Sequence, residues 1–464
     1  METFGVVVIG AGPGGYPAAI RSAQLGASVA LVEREYLGGT CLNWGCIPSK
    51  SFIHASSIFA QMRSSGNLGL KAEKTSFDYA AMAERKDQVI RTLRNGIRQL
   101  LAANGVRVME GTASFESRNR IVVSSQTGKA VIGAEKSIIA TGATSSMPGF
   151  LPRHERVVDS RAFLDLRSAP SRAIVLGGGI IGCEFACMLA QLGVQVTIVE
   201  ILEDILAVLD ADVRRELRRH MEKTWGIRVC TGQGLENIKA EGNTVRGTVG
   251  GEVLEADLLL AALGRKPVTQ ELQIENAGLK INSQGFIETD ECGRTQVATV
   301  YAIGDVTGGP QLAHVATSQG LVAAENACTR HLRKNETCFP YCIFTSPEVG
   351  AAGLTEQEAK QKGLEIKTGR FNFAALGKGL AIDHPAGFVK WVADPKTGQL
   401  LGAQAVGVHA TELIAEATTA IRAELTATDL ARTIHAHPTL AEAWMESAHV
   451  LLGEAIHAVA RRAR

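Results

Sequence analysis

Two stretches of the chain share one pattern of apolar and polar positions. From Phe4 to Gly10 an apolar run (FGVVVIG) gives way to glycines, then to an Ala-rich stretch ending near Gly26, then to a second apolar run (SVALVE) closing on Glu33. A short apolar run bounded by glycines predicts a buried strand, and the Ala-rich stretch between two such runs predicts a helix. Arg172 to Glu200 repeats the design: Gly10, Gly12, Gly15 and Glu33 correspond to Gly177, Gly179, Gly182 and Glu200, each pair 167 residues apart, and both helices carry AQLG, at 23–26 and 190–193. The prediction is two βαβ units of one kind. In each, the first glycine permits a tight turn, the second lets the backbone approach a pyrophosphate, and the third lets helix and strand pack closely. The helix N-terminus offers unpaired N–H groups to phosphates. The acid closing the second strand can accept from both ribose hydroxyls. One glycine turn of this kind occurs without any nucleotide; two copies, each with strand, helix and acid in place, point to two dinucleotide sites. Glu200 repels a 2′-phosphate and favours NAD over NADP, and Ile201 to Leu209 contain no arginine to hold one.

Further along, the charged stretch Asp78 to Asn104 predicts an exposed helix of the first domain. Ser137 to Thr144 (SIIATGAT) reads as a strand and a turn, and 299–306 (TVYAIGDV) as an apolar strand ending in Gly304-Asp305, with Leu312-Ala313-His314 opening an apolar helix.

Between the first unit and the next helix lies GGTCLNWGCIPSK, residues 38–50. Pro48 suits the first position of a helix running through Ser51 to Met62. A cysteine just before a helix N-terminus has a stabilised thiolate, and a disulfide there is easily cycled. A metal site needs further ligands at fixed spacing, and two buried structural thiols remain a second alternative, one that leaves the Gly-rich flanks and Lys50 unexplained. At 435–442 the chain reads HAHPTLAE. Imidazole is the natural group to move a proton at neutral pH, and a carboxylate can hold it in the right tautomer. Thr439 to Glu442 is also a capping box, compatible with Glu442 facing a histidine.

Composition narrows the function class. At 464 residues the chain predicts about three domains. Hydrophobic content of 45% with only 5% aromatic, and 49 glycines, fit α/β layers joined by repeated glycine turns. The net charge of +1, with no long basic tract, argues against nucleic acid as a partner. No apolar run reaches the ~20 residues of a membrane span, and a strand beginning at Phe4 leaves no room for a leader, so the expected compartment is the cytosol. Nine cysteines in so long a chain are not a secreted disulfide framework.

The motif GTCLNWGCIPSK after the first glycine fingerprint resembles the redox-active disulfide of the flavin-dependent pyridine-nucleotide disulfide reductases, and nearly the whole chain follows that family's order. The resemblance implies an α/β fold with two Rossmann-like dinucleotide-binding domains and a C-terminal α+β dimerisation domain, placed at 1–146 (FAD), 147–267 (NAD), 268–338 (completing the FAD site) and 339–464 (interface). It implies a Cys41–Cys46 disulfide, with Cys46 contacting the flavin and Cys41 exchanging with substrate, and Lys50 near the flavin paired with Glu184. Gly10, Gly12, Gly15, Glu33, Lys50, Thr141, Gly142, Gly304, Asp305 and Ala313 are implied for FAD, Asp305 on its ribityl chain. Gly177, Gly179, Gly182, Glu200 and Gly264 are implied for NAD. His437 is the implied acid/base and Glu442 its orienting acid, acting on the disulfide of the other subunit of a homodimer. No metal is implied.

CIPSK, HAHPTLAE and FTSPEVGAAGLTE at 344–356 are most similar to the branch of the family whose substrate is dihydrolipoamide. The lipoyl group is then expected on another protein, a 2-oxoacid dehydrogenase or glycine cleavage component. A glutathione-reductase-like enzyme is disfavoured by Glu200. A mercuric-reductase-like enzyme is disfavoured because its C-terminal cysteine pair is missing, the last cysteine being Cys342; Cys338 and Cys342 read as ordinary thiols. A non-catalytic redox-sensing subunit is disfavoured by the presence of Cys41, Cys46, Lys50, His437 and Glu442 together. Trp44, between the cysteines, is expected to narrow the approach to Cys41, and Pro17 is unusual past the first position of a helix.

Overall fold

The structure is a computed structural model, and it describes residues 1–459. The first unit is built on a seven-stranded sheet. Strand Glu2–Ile9 lies parallel between Val29–Glu33 and Gly128–Ile139, with Val6 opposite Val29 and Val7 opposite Ser137. Val6 and Val8 pack with Ala18, Ala19 and Ile97, while Val7 and Ile9 pack with Phe115 and Ile121. A strand covered on both faces needs apolar side chains at every position, which accounts for the unbroken run. Pro17 falls third in helix Gly15–Gln24, within the first turn, where no intrahelical acceptor awaits its missing N–H.

The seventh strand, Val300–Ala302, pairs with Gly128–Ile139 from far downstream, Tyr301 opposite Ile138. The chain therefore leaves this sheet after Ile139, builds the second unit, and returns. A two-stranded antiparallel ribbon, Ala143–Ser145 against Arg265–Pro267, carries both crossings. The second unit is a five-stranded parallel sheet in the order 228–231, 195–200, 172–176, 258–261, 157–159. Its helix Ile180–Gln191 is buried from Gly182 onward, because Phe52 and Tyr79 of the first unit and Phe388 and Val406 of the last share one core with Cys183, Phe185 and Leu189.

The C-terminal region is a five-stranded antiparallel sheet packed under helices Ala410–Arg422 and Glu442–Leu452. Trp391 and Trp444 form its centre, ring centroids 4.7 Å apart, and each indole N–H donates to a backbone carbonyl. Lys390, 2% exposed, pairs with Glu356 of its own region at 2.6 Å and joins this sheet to the second unit through Asp210 and Asp212 at 2.9 and 2.7 Å.

The expected α/β class with two Rossmann-like units and an α+β C-terminal region is the fold observed; of the interface segment, residues 460–464 lie outside the described residues. Three local expectations are corrected. The helix after the cysteines is Cys46–Ser64, so Pro48 is its third residue, and Cys46 itself opens the helix. The helix Tyr79–Ala103 is amphipathic rather than simply exposed: Ala83, Ile90, Ile97 and Leu101 face the core. Thr439 does not cap the last helix; its hydroxyl donates to Ala436 O, and the N-cap is Ala441. Among the described residues no helix is long and apolar enough to cross a membrane.

Candidate active site

The two glycine turns divide their labour as the spacing predicts. A Cβ on Gly10 would stand 2.4 Å from Ala140 O, and one on Gly15 would stand 1.9 Å from Gly10 O; Gly177 and Gly182 meet Ala262 O and Gly177 O at 2.5 and 2.0 Å. The first and third glycines are thus required by the protein's own packing. Gly12 and Gly179 differ: a Cβ on the former would be 3.9 Å from its nearest neighbour, and one on the latter would meet nothing within 4 Å. Their open side leaves backbone accessible at each helix N-terminus, as an anion such as a pyrophosphate would need.

Both strand-end acids are held alike. Glu33 accepts from the Ala11 and Glu35 amides, each at 2.8 Å, and Glu200 accepts from the Gly178 and Leu202 amides at 2.6 and 2.8 Å. One bond to each oxygen fixes the carboxylate and leaves further lone pairs for a ribose. Arg214 and Arg218, beside the second cradle, are paired with Asp204 at 3.2 and 3.4 Å. Gly10, Glu33 and Thr141 line one pocket with Arg34, Val268 and Leu272, and the Thr141 hydroxyl donates to Val268 O at 2.7 Å. Gly142 and Gly264, φ +69° and +88°, turn the chain at either end of the crossing ribbon.

Asp305 follows Gly304 in a 3-10 turn, and Ala313 opens helix Ala313–Cys328 just beyond. Burial raises the Asp305 carboxyl pKa against the opposing pull of Arg265, whose Nε lies 3.4 Å from Oδ2. Arg265 also bonds Ala143 O and reaches Thr40 Oγ1 at 3.5 Å, so it ties the ribbon, the redox helix and Asp305 together. Its Nε is buried and makes no hydrogen bond beyond that ion pair. In the sequence Arg265 gives no signal beyond being a basic residue a few positions after the strand Leu258–Ala261.

Cys41 lies in the short helix Gly39–Trp44, and Cys46 is the first residue of Cys46–Ser64. Both are free thiols, close enough to share a proton. Hydrogen bonding to Cys46 and burial push the Cys41 pKa up, while the bond from Cys41 and the nearby Lys50 ammonium pull that of Cys46 down. Of the two thiols, Cys46, at a helix N-terminus, is the more readily ionised. Lys50 pairs with both oxygens of Glu184, 5% exposed, and sits 4.4 Å from the Phe344 ring centre; the Phe344 amide donates to the same carboxylate. The site is thereby tied to all three regions of the fold.

His437 and Glu442 form a separate pair. The imidazole Nδ1 lies 2.8 Å from Glu442 Oε1, while Oε2 accepts from the Thr439 amide at 2.7 Å. Burial would raise the Glu442 pKa, but the Thr439 amide and His437 outweigh it and hold it low. His437 is 75% exposed, and among the described residues no contact joins it to either cysteine of the same chain. His435, two residues earlier, has its side chain buried against Glu416 at 2.7 Å. His314 only caps Pro340 O, and Cys338 and Cys342 rest on backbone carbonyls.

A flavin-type cradle, a nicotinamide-type cradle and a cysteine pair between them define a class. Residues 4–320 match the pyridine nucleotide-disulphide oxidoreductase family and residues 339–448 match its dimerisation domain, and the chain belongs to that family. Among curated proteins it is 40% identical over 459 residues to a dihydrolipoyl dehydrogenase of Chlamydia muridarum and 42% identical over 466 residues to one of Haloferax volcanii, covering 98% of both chains in each case. Among solved structures it resembles the HOCl-induced flavoprotein disulfide reductase of Escherichia coli, with a TM-score of 0.87 at 29% identity over 96% of this chain and 99% of that one.

Proposed function

We propose that this chain oxidises dihydrolipoamide, carried on a separate lipoyl-bearing protein, to the cyclic disulfide and passes the electrons as hydride to NAD⁺. The observation that carries the reading is the placement of the Cys41 and Cys46 thiols at the start of a helix whose Lys50 is held by the buried Glu184 carboxylate. The dihydrolipoyl dehydrogenases among its relatives support the choice of substrate.

In this reading the cycle begins from the Cys41–Cys46 disulfide. A substrate thiol gives its proton to His437 Nε2, the nitrogen left free when Nδ1–H donates to Glu442. The substrate sulfur attacks Cys41 Sγ, breaking the disulfide and releasing Cys46 as thiolate. The second substrate sulfur then attacks the first, breaking its bond to Cys41 Sγ; its proton passes to Cys41 as the cyclic product leaves, and His437 keeps the first proton until it is released to solvent. FAD, when bound, converts between thiol electrons and hydride. Gly10, Gly12, Gly15, Glu33, Lys50, Thr141, Gly142, Gly304, Asp305 and Ala313 would hold it; Gly177, Gly179, Gly182, Glu200 and Gly264 would hold NAD.

The exposure of His437 and its distance from its own cysteines support a homodimer in which each subunit's His437 serves the other's disulfide. We divide the chain at residues 146, 267 and 338, and assign the reaction to the cytosol, where a dithiol pair stays available for turnover. Steady-state turnover tests the reading. NADH formation from dihydrolipoamide and NAD⁺ is expected, with NADP⁺ at least tenfold poorer; turnover of glutathione disulfide by NADPH in place of this would overturn it.

A further inference from the structure

The helix that carries Cys41 is six residues long, Gly39–Trp44, and neither end has a side-chain cap. Helices this short are not stable by themselves. While the cysteines are joined, a covalent bond holds the helix against Cys46; once they are reduced, only non-covalent contacts remain.

Those contacts form a girdle around the helix. On one side Arg94 donates to Asn43 Oδ1 at 3.1 and 2.6 Å, and Asn43 Nδ2 donates to the Leu37 and Gly39 carbonyls at 3.0 and 2.8 Å. Arg94 also stacks on Tyr36 at 3.9 Å, and Tyr36 meets Trp44 edge-on at 6.3 Å. On the other side Arg161 lies 3.9 Å over the Trp44 ring and is ion-paired with Glu35. Arg161 belongs to helix Ser160–Leu164 of the second unit, so this contact crosses between the two nucleotide units. The Glu35 amide donates to Glu33, the acid of the first cradle. Trp44 is therefore drawn sideways into a cation–aromatic stack instead of standing free between the cysteines.

We propose that Trp44 and Arg161 are positioning residues for the redox step: Arg161, anchored by Glu35, pins the Trp44 ring and with it the Cys41 helix, so that Cys41 keeps its register with Cys46 after the disulfide opens. This rests on the thiol roles proposed above. The arrangement has a directional consequence. Loosening the pin affects the open state more than the closed one, because the closed disulfide restrains the helix by itself.

The test uses purified holoenzyme of Trp44→Ala, Trp44→Phe and Arg161→Met, with FAD content measured first. Arg161→Met changes a partly exposed side chain and keeps its apolar stem, so it separates the effect from any folding failure of Trp44→Ala. On addition of one equivalent of NADH the wild type and Trp44→Phe are expected to develop the long-wavelength thiolate-to-flavin band. In Trp44→Ala and Arg161→Met that band should fall about threefold, and kcat with dihydrolipoamide about tenfold with KM little changed, as for a reacting group displaced by a fraction of an ångström. Direct NADH-driven reduction of ferricyanide, which bypasses the thiols, should stay within about twofold. An Arg161→Met holoenzyme with an undiminished band overturns the proposal, as does an equal loss of the ferricyanide activity. A wild type that shows the band but no turnover of dihydrolipoamide would sink the substrate reading and leave this one standing.

Discussion

Lys50 Nζ lies 3.0 and 2.8 Å from the two carboxylate oxygens of Glu184, joining the helix that begins at Cys46 to the helix of the second glycine turn. At Cys46 the two act with opposite signs, the ammonium lowering the thiol pKa and the carboxylate raising it. Lys50→Met should therefore move the pH at which the thiolate-to-flavin band appears upward, and Glu184→Gln should move it downward. A pH titration of the band in reduced holoenzyme measures both; shifts in the same direction would contradict the assignment.

The His437–Glu442 pair makes a kinetic prediction. His437→Gln removes the only proton carrier assigned to the thiols and should lower kcat by about 10²–10⁴-fold. Glu442→Gln keeps an acceptor for Nδ1 but removes the charge, so its loss should be smaller, about tenfold. NADH-driven ferricyanide reduction should be unchanged in both, because the pair lies outside the flavin cradle. Measured kcat values for the two reactions separate these outcomes.

Glu200 is bonded to the Gly178 and Leu202 amides as Glu33 is to Ala11 and Glu35. Glu200→Ala leaves two amides without partners and removes the ribose acceptor. The kcat/KM for NAD⁺ is expected to fall about 10–100-fold, while that for NADP⁺ stays level or rises, since repulsion of the 2′-phosphate is gone. Parallel initial rates with both nucleotides check this.

His435 offers a pH test of stability. Its hydrogen bond to Glu416 raises the imidazole pKa, against the pull of burial. A raised folded-state value contributes stability that is complete below the unfolded value of about 6.5 and is lost as the pH rises through the folded value. His435→Gln should thus cost about 1–3 kcal/mol in urea unfolding near pH 5.5 and distinctly less near pH 9. An equal cost at both pH values would argue for packing alone.

Legibility in the sequence tracks locality. The βαβ units were readable because glycine turn, helix and acid repeat at short, constant spacing, and the cysteine pair because its flanks lie within one motif. What brings Arg265 to Asp305, or Val300–Ala302 to the first sheet, is the return of the chain through the crossing ribbon, and no short-range pattern encodes that. The stacking partner of Trp44 is illegible for the same reason: Arg161 arrives from the second unit. At Thr439 the local pattern was ambiguous. A capping box and a histidine-orienting acid use the same Glu442, and its second oxygen takes the Thr439 amide while the Thr439 hydroxyl turns to Ala436.

The central claim is that dihydrolipoamide exchanges with Cys41 and leaves negative charge on Cys46. Stopped-flow mixing of oxidised holoenzyme with dihydrolipoamide, without nucleotide, tests it most directly, with Cys41→Ser and Cys46→Ser alongside. The account predicts a thiolate-to-flavin band within the time of one turnover in the wild type and none in Cys46→Ser. Cys41→Ser should carry the band before any substrate is added and show no turnover. An oxidised wild-type spectrum that dihydrolipoamide leaves unchanged, in a protein whose flavin NADH still reduces, would contradict it.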